Sequence, residues 1–544
     1  MVLKPLIVIH RWLGVALCVL FLLWFPSGIG MIYWGMPAVS TQDRLDRMPS
    51  LDPAAITLSP EEAAKKIGAI GQNASPSQIR LSSFDGRPVY RFGGDSGRIV
   101  YADSGDEHTQ ADQVMRDRVA AAWVGQPLAA ASVEPMGPEP DQWTVGSRLR
   151  NLRPLWKYSW PDGQDVYIGE SGEVLLHTTR GSRIRAYLSA VPHWLYFTPL
   201  RKHQPVWIRF ATYSGMVAVV ASVVGMLVAI WMYTPARKKY RFANAPSAVP
   251  YRGTKRLHTI IGLVFGVTTI TWTFSGSLAF LPFPPPQDAR PAQTQGQRGE
   301  AQGQRGRGGN NQNPGQPGQG RQRGGNNSLA SSLRGQVGMK DFAALSPKEV
   351  LTRFPDLKIK ELSYTSYKSQ PLYSATLDDG SSRLIALDGR VVDGFNREEI
   401  IGIVKKSVPN PEKLEIRILE QFDAYYQDRD RRRPLPVILA LTGDTEATRY
   451  YIDPKTASVV GNYSNRNWVN RWLYHGLHSL NFPFLYNHRP LWDIVVITFM
   501  VGGTALSVTS LILAWRAIGK RLRQIVAVRQ RVPRPKRSPA SANP

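Results

Sequence analysis

The sequence predicts a membrane protein: an α-helical four-span bundle with two external α+β domains, arranged as an internal parallel duplication. Three observations indicate this fold class. Four apolar runs of 24 residues or more exceed the roughly 18–20 residues that cross a bilayer. Two long polar segments lie between them, and stretches of sequence recur in the same order in both halves. The runs are Pro5–Trp34, Trp207–Tyr233, His258–Leu281 and Leu491–Trp515. A single-domain soluble enzyme is excluded.

The charge distribution predicts how the chain crosses the membrane. The 544 residues carry a net charge of +26, which suggests either nucleic acid or an anionic membrane as partner. The basic residues concentrate in segment 234–256 and in the tail from Arg516, and neither stretch contains an acid. Short basic flanks stay in the cytoplasm, so we expect both termini inside and the two large segments outside. In a Gram-negative bacterium this is a multi-pass inner-membrane protein with periplasmic domains.

The first run has an alternative interpretation as a cleaved signal peptide. Its length and the lack of a small-x-small cleavage site from Gly30 onward favour a span instead. The one cysteine, Cys18, lies in this run. A disulfide framework and a Cys-ligated metal centre are therefore excluded.

An internal repeat links the two halves. The text "HRWLGVALCVLFLLWFPSG" from His10 matches "HTIIGLVFGVTTITWTFSG" from His258 at the His, Gly, Trp and Ser-Gly positions. The text "HWLYFTPLRKHQPVW" from His193 matches "HSLNFPFLYNHRPLW" from His478. Both halves begin and end inside, so the pseudo-twofold axis should lie along the membrane normal. Equivalent residues then share one depth, with His10 and His258 near the inner surface and His193 and His478 near the outer surface.

The polar segments also repeat, and they predict small α+β modules. "LSPEEAA" from Leu58 corresponds to "LSPKEVL" from Leu345, with Ser59 and Glu62 forming a capping box. "QIRLSSF", "PVYRFG" and "RIVYAD" predict short strands. The Gly/Gln/Arg-rich stretch 284–335 predicts a disordered insertion. Its arginines could contact an acidic partner or lipid head groups, and a solvated linker is the alternative.

These signals divide the chain into nine parts. They are span 1 (1–36), external domain 1 (37–184), the outer His segment with span 2 (185–235), a cytoplasmic loop (236–257), span 3 (258–283), the insertion (284–335), external domain 2 (336–466), the outer His segment with span 4 (467–517) and a cytoplasmic tail (518–544).

Seven of the nine histidines lie at the ends of the spans. They are His10, His193, His203, His258, His475, His478 and His488. A single such histidine could be an interfacial side chain that extends toward lipid head groups. Ionisable residues at membrane depth are usually functional, and these occur as matched pairs. Two imidazoles without further ligands are a poor zinc site but suit the two axial positions of haem iron. Transmembrane electron flow is the chemistry that this indicates.

Two further residue types support a flat cofactor near these histidines. Gly14 and Gly262 follow the inner histidines by four residues, on the same helix face, where they could admit a macrocycle. Helix packing is the other explanation for such glycines. Trp24 and Trp272 lie fourteen residues beyond the inner histidines, either between two cofactors or in an ordinary packed core.

The chain resembles the PepSY-associated transmembrane family. The resemblance rests on "HRWLG" at His10, on "DAYYQDRDRRRPLPV" from Asp423 and on "RYYIDPKTASVVG" from Arg449. It implies external PepSY-like domains and similarity to inner-membrane ferric-siderophore reductases with two b haems. It further implies His10, His193, His258 and His478 as axial ligands of haem iron, with His203, His475 and His488 as alternates for the outer site. No catalytic residue beyond these is indicated.

Two functions remain open from the sequence. The first is a haem-containing reductase that passes electrons to a periplasmic ferric chelate, a siderophore or similar compound, for iron uptake. No dinucleotide fingerprint occurs on the cytoplasmic side, so a separate donor, such as a reduced flavin, a quinol or a partner protein, must supply the electrons. The second is a non-catalytic PepSY protein that restrains a periplasmic peptidase or contacts a receptor. Nucleic acid is not an expected partner.

One basic and aromatic stretch outside the membrane suggests a contact with substrate. Tyr425, Tyr426, Arg431, Arg432 and Arg433 could meet an anionic, aromatic chelate by charge and cation–π contacts. A solvated turn is the alternative.

Overall fold

Four long helices define the membrane part of the molecule. The computed structural model describes residues 3–67, 76–93, 97–234, 240–242, 245–279, 327–428 and 431–531. Four helices in these ranges are long and apolar enough to cross a membrane. They are α1 (Leu3–Tyr33), α9 (Gln204–Met232), α10 (Gly253–Leu278) and α16 (Leu491–Arg531). The prediction of a multi-pass membrane protein with four spans is confirmed.

Two of these helices extend past their predicted ends. Helix α10 begins at Gly253, so His258 lies in its second turn and not at its start. Helix α16 continues to Arg531, sixteen residues beyond the predicted end at Trp515. Lys, Arg, Leu and Gln are good helix formers, and no proline interrupts the chain before Pro533. The beginning of the predicted tail is therefore helical.

The bundle has a simple arrangement. Helix α1 packs against α9 and α16, and α10 packs against the same two helices. Helices α1 and α10 therefore occupy opposite corners of the bundle. The end at which α1 leads into the β-sheets is called the sheet end below, and the opposite end is called the terminal end.

The described parts of the polar segment between α1 and α9, residues 34–67, 76–93 and 97–203, form seven short α-helices and eight strands. The helices are α2 (Thr41–Arg47), α3 (Pro60–Lys66), α4 (Gln113–Val124), α5 (Ser147–Arg150), α6 (Arg180–Leu188), α7 (Ala190–His193) and α8 (Thr198–Arg201). The strands are β1 (Ile79–Phe84), β2 (Arg87–Phe92), β3 (Arg98–Tyr101), β4 (Glu107–His108), β5 (Ser132–Met136), β6 (Leu155–Ser159), β7 (Asp165–Gly169) and β8 (Val174–Thr178).

The remaining elements follow α9. A hairpin of β9 (Tyr240–Phe242) and β10 (Ala245–Ser247) precedes α10. The helices of the second polar segment are α11 (Asn327–Arg334), α12 (Pro347–Arg353), α13 (Arg397–Ser407), α14 (Leu477–Ser479) and α15 (Pro483–Tyr486). Its strands are β11 (Ile359–Tyr367), β12 (Gln370–Leu377), β13 (Ser382–Ala386), β14 (Val391–Val392), β15 (Glu415–Leu419), β16 (Val437–Leu441), β17 (Arg449–Asp453) and β18 (Ser458–Tyr463).

The local predictions for the polar segments are confirmed. The Ser59 side chain accepts a hydrogen bond from the Glu62 backbone, and the Glu62 carboxylate accepts one from the Ser59 backbone at 2.7 Å. Ser346 and Glu349 form the same capping box at the start of α12. These reciprocal bonds satisfy two free donors at each helix start. The three strands predicted after α3 are β1, β2 and β3.

The two polar segments share one large sheet. Its order is β14-β13-β12-β11-β1-β2-β3-β4, so the first strands of the two segments pair directly. They run antiparallel, with Leu81 opposite Leu362, and both leucines are fully buried. The Arg80 guanidinium and the Glu361 carboxylate form a buried ion pair at 3.6 Å beside this junction. The pairing covers an edge that each module would otherwise expose, so the external domains are joined rather than independent.

Each polar segment also forms a smaller antiparallel sheet. Strands β5 to β8 make one four-stranded sheet, and β15 to β18 make the other, with the same sequential order. The chain leaves each of these sheets directly into the histidine-bearing segment that precedes α9 or α16. The small sheets thereby fix those segments against the bundle.

The predicted C-terminal boundary of the insertion, residue 335, is wrong. Residues 280–326 lie outside the described residues, but Asn327–Arg334 form helix α11. Leu329 and Leu333, four residues apart, are buried against Ile400 and Val404 of α13. This apolar spacing puts both leucines on one helix face, so the end of the stretch belongs to the second external domain.

Candidate functional site

The first histidine pair lies toward the terminal end of the bundle. His10 on α1 and His258 on α10 face each other across the bundle, with ring centres 6.2 Å apart and ring planes at 39°. The two helices are at opposite corners, so the imidazoles meet between α9 and α16. The structure thus brings together the two histidines that the sequence repeat predicts to be close.

A hydrogen bond orients each of these two imidazoles. His10 Nδ1 lies 3.0 Å from the Ala221 carbonyl oxygen, and His258 Nδ1 lies 3.0 Å from Thr509 Oγ1. The Thr509 hydroxyl donates to Leu506 at 2.8 Å, which leaves its oxygen free to accept. Each Nδ1 therefore carries the proton, and each Nε2 keeps a lone pair for another ligand.

The second histidine pair lies at the sheet end. His193 and His478 have ring centres 6.0 Å apart and ring planes at 58°. His193 Nδ1 lies 3.1 Å from the Trp24 carbonyl oxygen, and His478 Nδ1 lies 3.2 Å from that of Trp272. These carbonyl groups belong to α1 and α10, the helices that carry the first pair. The bonds again leave Nε2 of both rings free.

Serine hydroxyl groups and burial complete the surroundings of the second pair. Ser27 Oγ lies 3.3 Å from His193 Nδ1, and Ser275 Oγ lies 3.2 Å from His478 Nδ1. These histidines precede the spans α9 and α16, and burial lowers the pKa of both imidazoles. Both rings are therefore neutral near pH 7, which is the form that binds a metal.

The spacing of both pairs suits one metal atom between two imidazoles. Metal–imidazole nitrogen bonds of about 2.0 Å would place the centres of two rings on opposite sides of one metal about 6.3 Å apart. The observed separations are 6.2 and 6.0 Å. In the part of the chain that the structure describes, no group of three or more His, Cys, Asp or Glu side chains could hold a metal ion. A metal at either pair would therefore need donors besides the described side chains of these four types.

Glycines leave room beside the imidazoles. A Cβ atom added to Gly225 of α9 would lie 2.4 Å from His10 Cε1, so only glycine lets the ring approach that helix. A Cβ atom at Gly14 would meet no heavy atom within 4 Å, and one at Gly262 would meet only Leu506 Cδ1 at 3.8 Å. Gly14 and Gly262 are therefore not needed for tight helix packing. They leave open space on the helix faces that carry the first histidine pair.

The two predicted tryptophans lie between the pairs. Trp272 is 4% exposed and contacts the rings of Phe25 and Phe499 at centroid distances of 6.2 and 6.3 Å. Trp24 contacts Phe21 at 6.1 Å. Their side chains thus pack in the apolar core. Their backbone carbonyl groups orient His193 and His478, a role that the sequence did not indicate.

The alternate histidines do not form a third pair. His203 is the residue that caps the start of α9, and His488 Nδ1 bonds the Phe484 carbonyl oxygen at 2.7 Å on the exposed surface. His475 is exposed, with its ring 4.9 Å from that of Tyr474. The geometry favours His193 and His478 over these three as the predicted ligands.

Tyr474 is a site residue that the sequence did not reveal. Its ring stacks on the His478 imidazole, with centres 5.4 Å apart and planes at 16°. Tyr474 belongs to a π-helical segment, Asn470–Gly476, which shifts the register between Tyr474 and His478. Such segments are rare and are often found at functional sites. Burial raises the pKa of the Tyr474 hydroxyl, so the group is neutral.

The predicted basic and aromatic cluster from Tyr425 to Arg433 does not form as one surface. Tyr426 is fully buried and stacks on Tyr451 with centres 4.8 Å apart. The Arg433 guanidinium contacts the Tyr426 ring and donates to the Tyr463 hydroxyl at 3.0 Å. The alternation of adjacent side chains in the loop turns Tyr426 into the core and leaves Tyr425 half-buried at the surface.

Comparison with known proteins adds no identification. No protein-family model matches the chain, and no curated protein matches it.

Proposed function

We propose that this protein is a membrane reductase that holds two b-type haems and passes electrons across the bilayer to a ferric chelate. The observation that carries the proposal is the convergence of four histidines into two facing pairs. In both pairs Nδ1 is hydrogen bonded and Nε2 is free. Haem, when bound, supplies four nitrogen donors and an iron centre that changes by one electron.

The residues around each pair have distinct tasks in this proposal. His10 and His258 would hold one iron, and His193 and His478 would hold the other. The carbonyl oxygens of Ala221, Trp24 and Trp272 accept hydrogen bonds from Nδ1 of the imidazoles. These bonds keep Nε2 directed away from the helices that carry the carbonyl groups. With two histidine ligands, each iron would have no free position for dioxygen, which would favour electron transfer over oxygen chemistry.

The orientation of the protein is also part of the proposal. Basic segment 234–256 and the basic end of α16 would lie in the cytoplasm, and the sheets would lie in the periplasm of a bacterial inner membrane. The His10 and His258 pair would then receive electrons near the cytoplasmic surface. The His193 and His478 pair would deliver them beneath the external sheets.

We further propose that the two halves are a parallel duplication and that the chain is a PepSY-associated transmembrane protein. Support comes from matched contacts: Trp24 and Trp272 are corresponding residues of the repeat, as are Ser27 and Ser275. They bond His193 and His478 in the same way. The same strand order in the two small sheets agrees with this view.

The reaction in this proposal is a one-electron transfer. One electron reduces Fe(III) in the chelate to Fe(II), and the weaker binding of Fe(II) releases the iron for uptake. Each electron would come from a separate donor, a reduced flavin, a quinol or a partner protein. Neutral imidazoles and an apolar core between the pairs provide the low-dielectric surroundings that such a path requires.

Purified protein tests this function directly. Pyridine haemochrome analysis should give two haems per chain, with a Soret band and split α and β bands on reduction by dithionite. Mixing the reduced protein anaerobically with a ferric chelate should restore the oxidised spectrum and yield Fe(II). A colourless protein, or a reduced protein that ferric chelates do not reoxidise, would contradict the proposal.

A further inference from the structure

A loop of the second small sheet is fastened onto the segment that carries His478. Gln427 Nε2 donates to the Asn481 carbonyl oxygen at 3.1 Å, and Asn487 Nδ2 donates to that of Phe422 at 2.9 Å. The Arg471 guanidinium donates to the Ala424 carbonyl oxygen. These bonds hold the loop between β15 and β16 against the sheet end of the bundle, beside the second histidine pair.

Three aromatic and two cationic side chains meet at this contact. The rings of Tyr425 and Trp472 are 6.4 Å apart edge to face, and Phe482 stacks on Trp472 at 6.3 Å. The Arg449 guanidinium lies 4.4 Å from the Tyr425 ring centre, and that of Arg471 lies 4.6 Å from the Trp472 ring centre. We call these five residues the arginine–aromatic surface.

The corresponding contact in the first half has the same aromatic geometry without the positive charge. Trp143 and Tyr187 meet edge to face at 5.4 Å, and Gln142 Nε2 donates to the Tyr196 carbonyl oxygen at 2.6 Å. Arg449 is the first residue of β17, whereas the first residue of β7 is Asp165. Asp165 is neutralised by Arg183 at 2.8 Å and Lys157 at 3.6 Å.

The second arginine is likewise specific to the second half. Arg471 lies seven residues before His478, and Ala186 lies seven residues before His193. The first half folds the same contact with an aspartate and an alanine at these places. The aromatic contact itself therefore does not need the positive charge of the two arginines.

Neither arginine is neutralised within the part of the chain that the structure describes. No described carboxylate lies within 4.0 Å of either guanidinium group. Both groups donate to backbone carbonyl oxygens instead, and Arg471 Nη1 is buried without a hydrogen-bond partner among the described residues. The Asp423 carboxylate is close, but it accepts from the Tyr451 hydroxyl at 2.8 Å and from the Tyr425 backbone at 2.8 Å. Guanidinium groups in such a state favour an anionic ligand.

The position of the surface connects it to the second histidine pair. Trp472 and Tyr474 belong to the same π-helical segment, and Tyr474 stacks on His478. Tyr425, Arg449, Trp472 and Phe482 are half-buried and so retain accessible area. A molecule held on this surface would therefore lie against the chain segment that leads into His478.

We propose that the arginine–aromatic surface binds the electron acceptor and selects anionic ferric chelates whose iron-binding groups are aromatic, such as catecholates. This inference rests on the proposed function for the identity of the acceptor. The arginines would contribute charge and cation–π contacts, and the aromatic rings would pack against the aromatic groups of the chelate.

Binding of a gallium tris-catecholate tests the inference without any redox step. Gallium(III) has the charge of ferric iron but is not reduced, so titration of the full chain in detergent measures binding alone. Arg449→Gln and Trp472→Leu should each weaken binding by about tenfold or more, because each removes a charged or stacking contact. The matched control is Tyr187→Leu, which changes the corresponding aromatic residue of the first half and should leave the affinity unaltered.

The outcomes separate the two proposals. Unchanged affinity in Arg449→Gln and Trp472→Leu, or equal affinity for a neutral aliphatic gallium hydroxamate, would overturn the inference while the haem spectrum still supports the reductase. Weakening by Tyr187→Leu to the same extent would also overturn it. Selective gallium binding by a protein that contains no haem would support this surface and contradict the proposed function.

Discussion

At the scale of residues, ordinary backbone carbonyl groups orient three of the four paired imidazoles. Ala221, Trp24 and Trp272 each offer a carbonyl oxygen to an Nδ1 atom. In a regular helix these oxygens already accept a bond from four residues ahead, and their second lone pair is available. For His10, His193 and His478 a backbone carbonyl group thus sets the tautomer, whereas His258 bonds the Thr509 hydroxyl group.

Removing either member of a pair should remove the same haem. In His10→Ala and His258→Ala we expect a loss of one of two haems with identical difference spectra, because each variant deprives one iron of an axial ligand. His193→Ala and His478→Ala should lose the other haem. Haem content with absorption spectroscopy measures this, and His488→Ala serves as the control with both haems. Different haems lost within one pair would show that the pairing is wrong.

Gly225 offers a test that leaves every histidine in place. Its Cβ would lie 2.4 Å from His10 Cε1, so Gly225→Leu must displace the imidazole. We expect haem at the first pair to fall below half of its normal content, while the second pair stays loaded. Gly519→Leu on α16, where a Cβ meets no atom within 4 Å, is the control and should retain both haems. Full haem content in Gly225→Leu would place the cofactor elsewhere.

The sequence predicted the four histidines but not their surroundings. The repeat is visible in the sequence itself, and it correctly paired His10 with His258 and His193 with His478. Tyr474 lies four residues before His478, a spacing that puts two side chains on one helix face. The repeat does not mark it, because Ser189 is at the corresponding position of the first half. The sequence alone places Tyr425 and Tyr426 in the same predicted binding cluster. The folded loop buries only Tyr426.

At the scale of elements, the helices and short strands were predictable because their signals are local. Hydropathy over about twenty residues identifies a span, and the pair Ser59 and Glu62 marks a helix start. The junction between β1 and β11 was not predictable in this way. Its register depends on two strands far apart in the chain that meet only after both modules have formed.

The buried ion pair at this junction should be sensitive to loss of one partner. Arg80→Met would leave the Glu361 carboxylate, 5% exposed, without its counter-charge, at a cost of about 3–5 kcal/mol in unfolding free energy. The double variant Arg80→Met with Glu361→Leu should recover most of this loss. Thermal unfolding of the detergent-solubilised protein, monitored by the susceptibility of the sheet to proteolysis, measures the change in stability.

An exposed pair provides the comparison for that experiment. Arg417 and Glu415 have side chains that are 62% and 49% exposed, so Arg417→Met should cost less than about 1 kcal/mol. Equal stability of Arg80→Met and Arg417→Met would show that the buried ion pair contributes no more to the free energy of unfolding than the exposed pair does.

At the scale of the whole molecule, the two pairs and the sheets imply a direction for electron flow. The first pair lies toward the basic ends of the helices, and the second lies beneath the sheets. In oriented proteoliposomes with a reductant trapped on the side of the termini, external ferric chelate should be reduced. The rate should collapse in His258→Ala, because the first pair receives the electrons.

The control for this measurement lies outside the bundle. His108 is in β4, and its Nε2 atom bonds the Ser171 carbonyl oxygen at 2.8 Å, so His108→Ala should reduce the chelate at the normal rate. Equal rates in His258→Ala and in the unaltered protein, or in empty liposomes, would favour the binding-protein function that the sequence left open.

The shared eight-stranded sheet has a consequence for how the protein is made. Strand β1 leaves the ribosome about 280 residues before its neighbour β11. At about 5–20 residues per second, this leaves one edge of a fully buried strand without its partner for roughly 14–56 s. During that interval the nascent first half presents a template for aggregation. We therefore expect its biogenesis to depend on a holding chaperone on the side of the membrane where the sheets emerge.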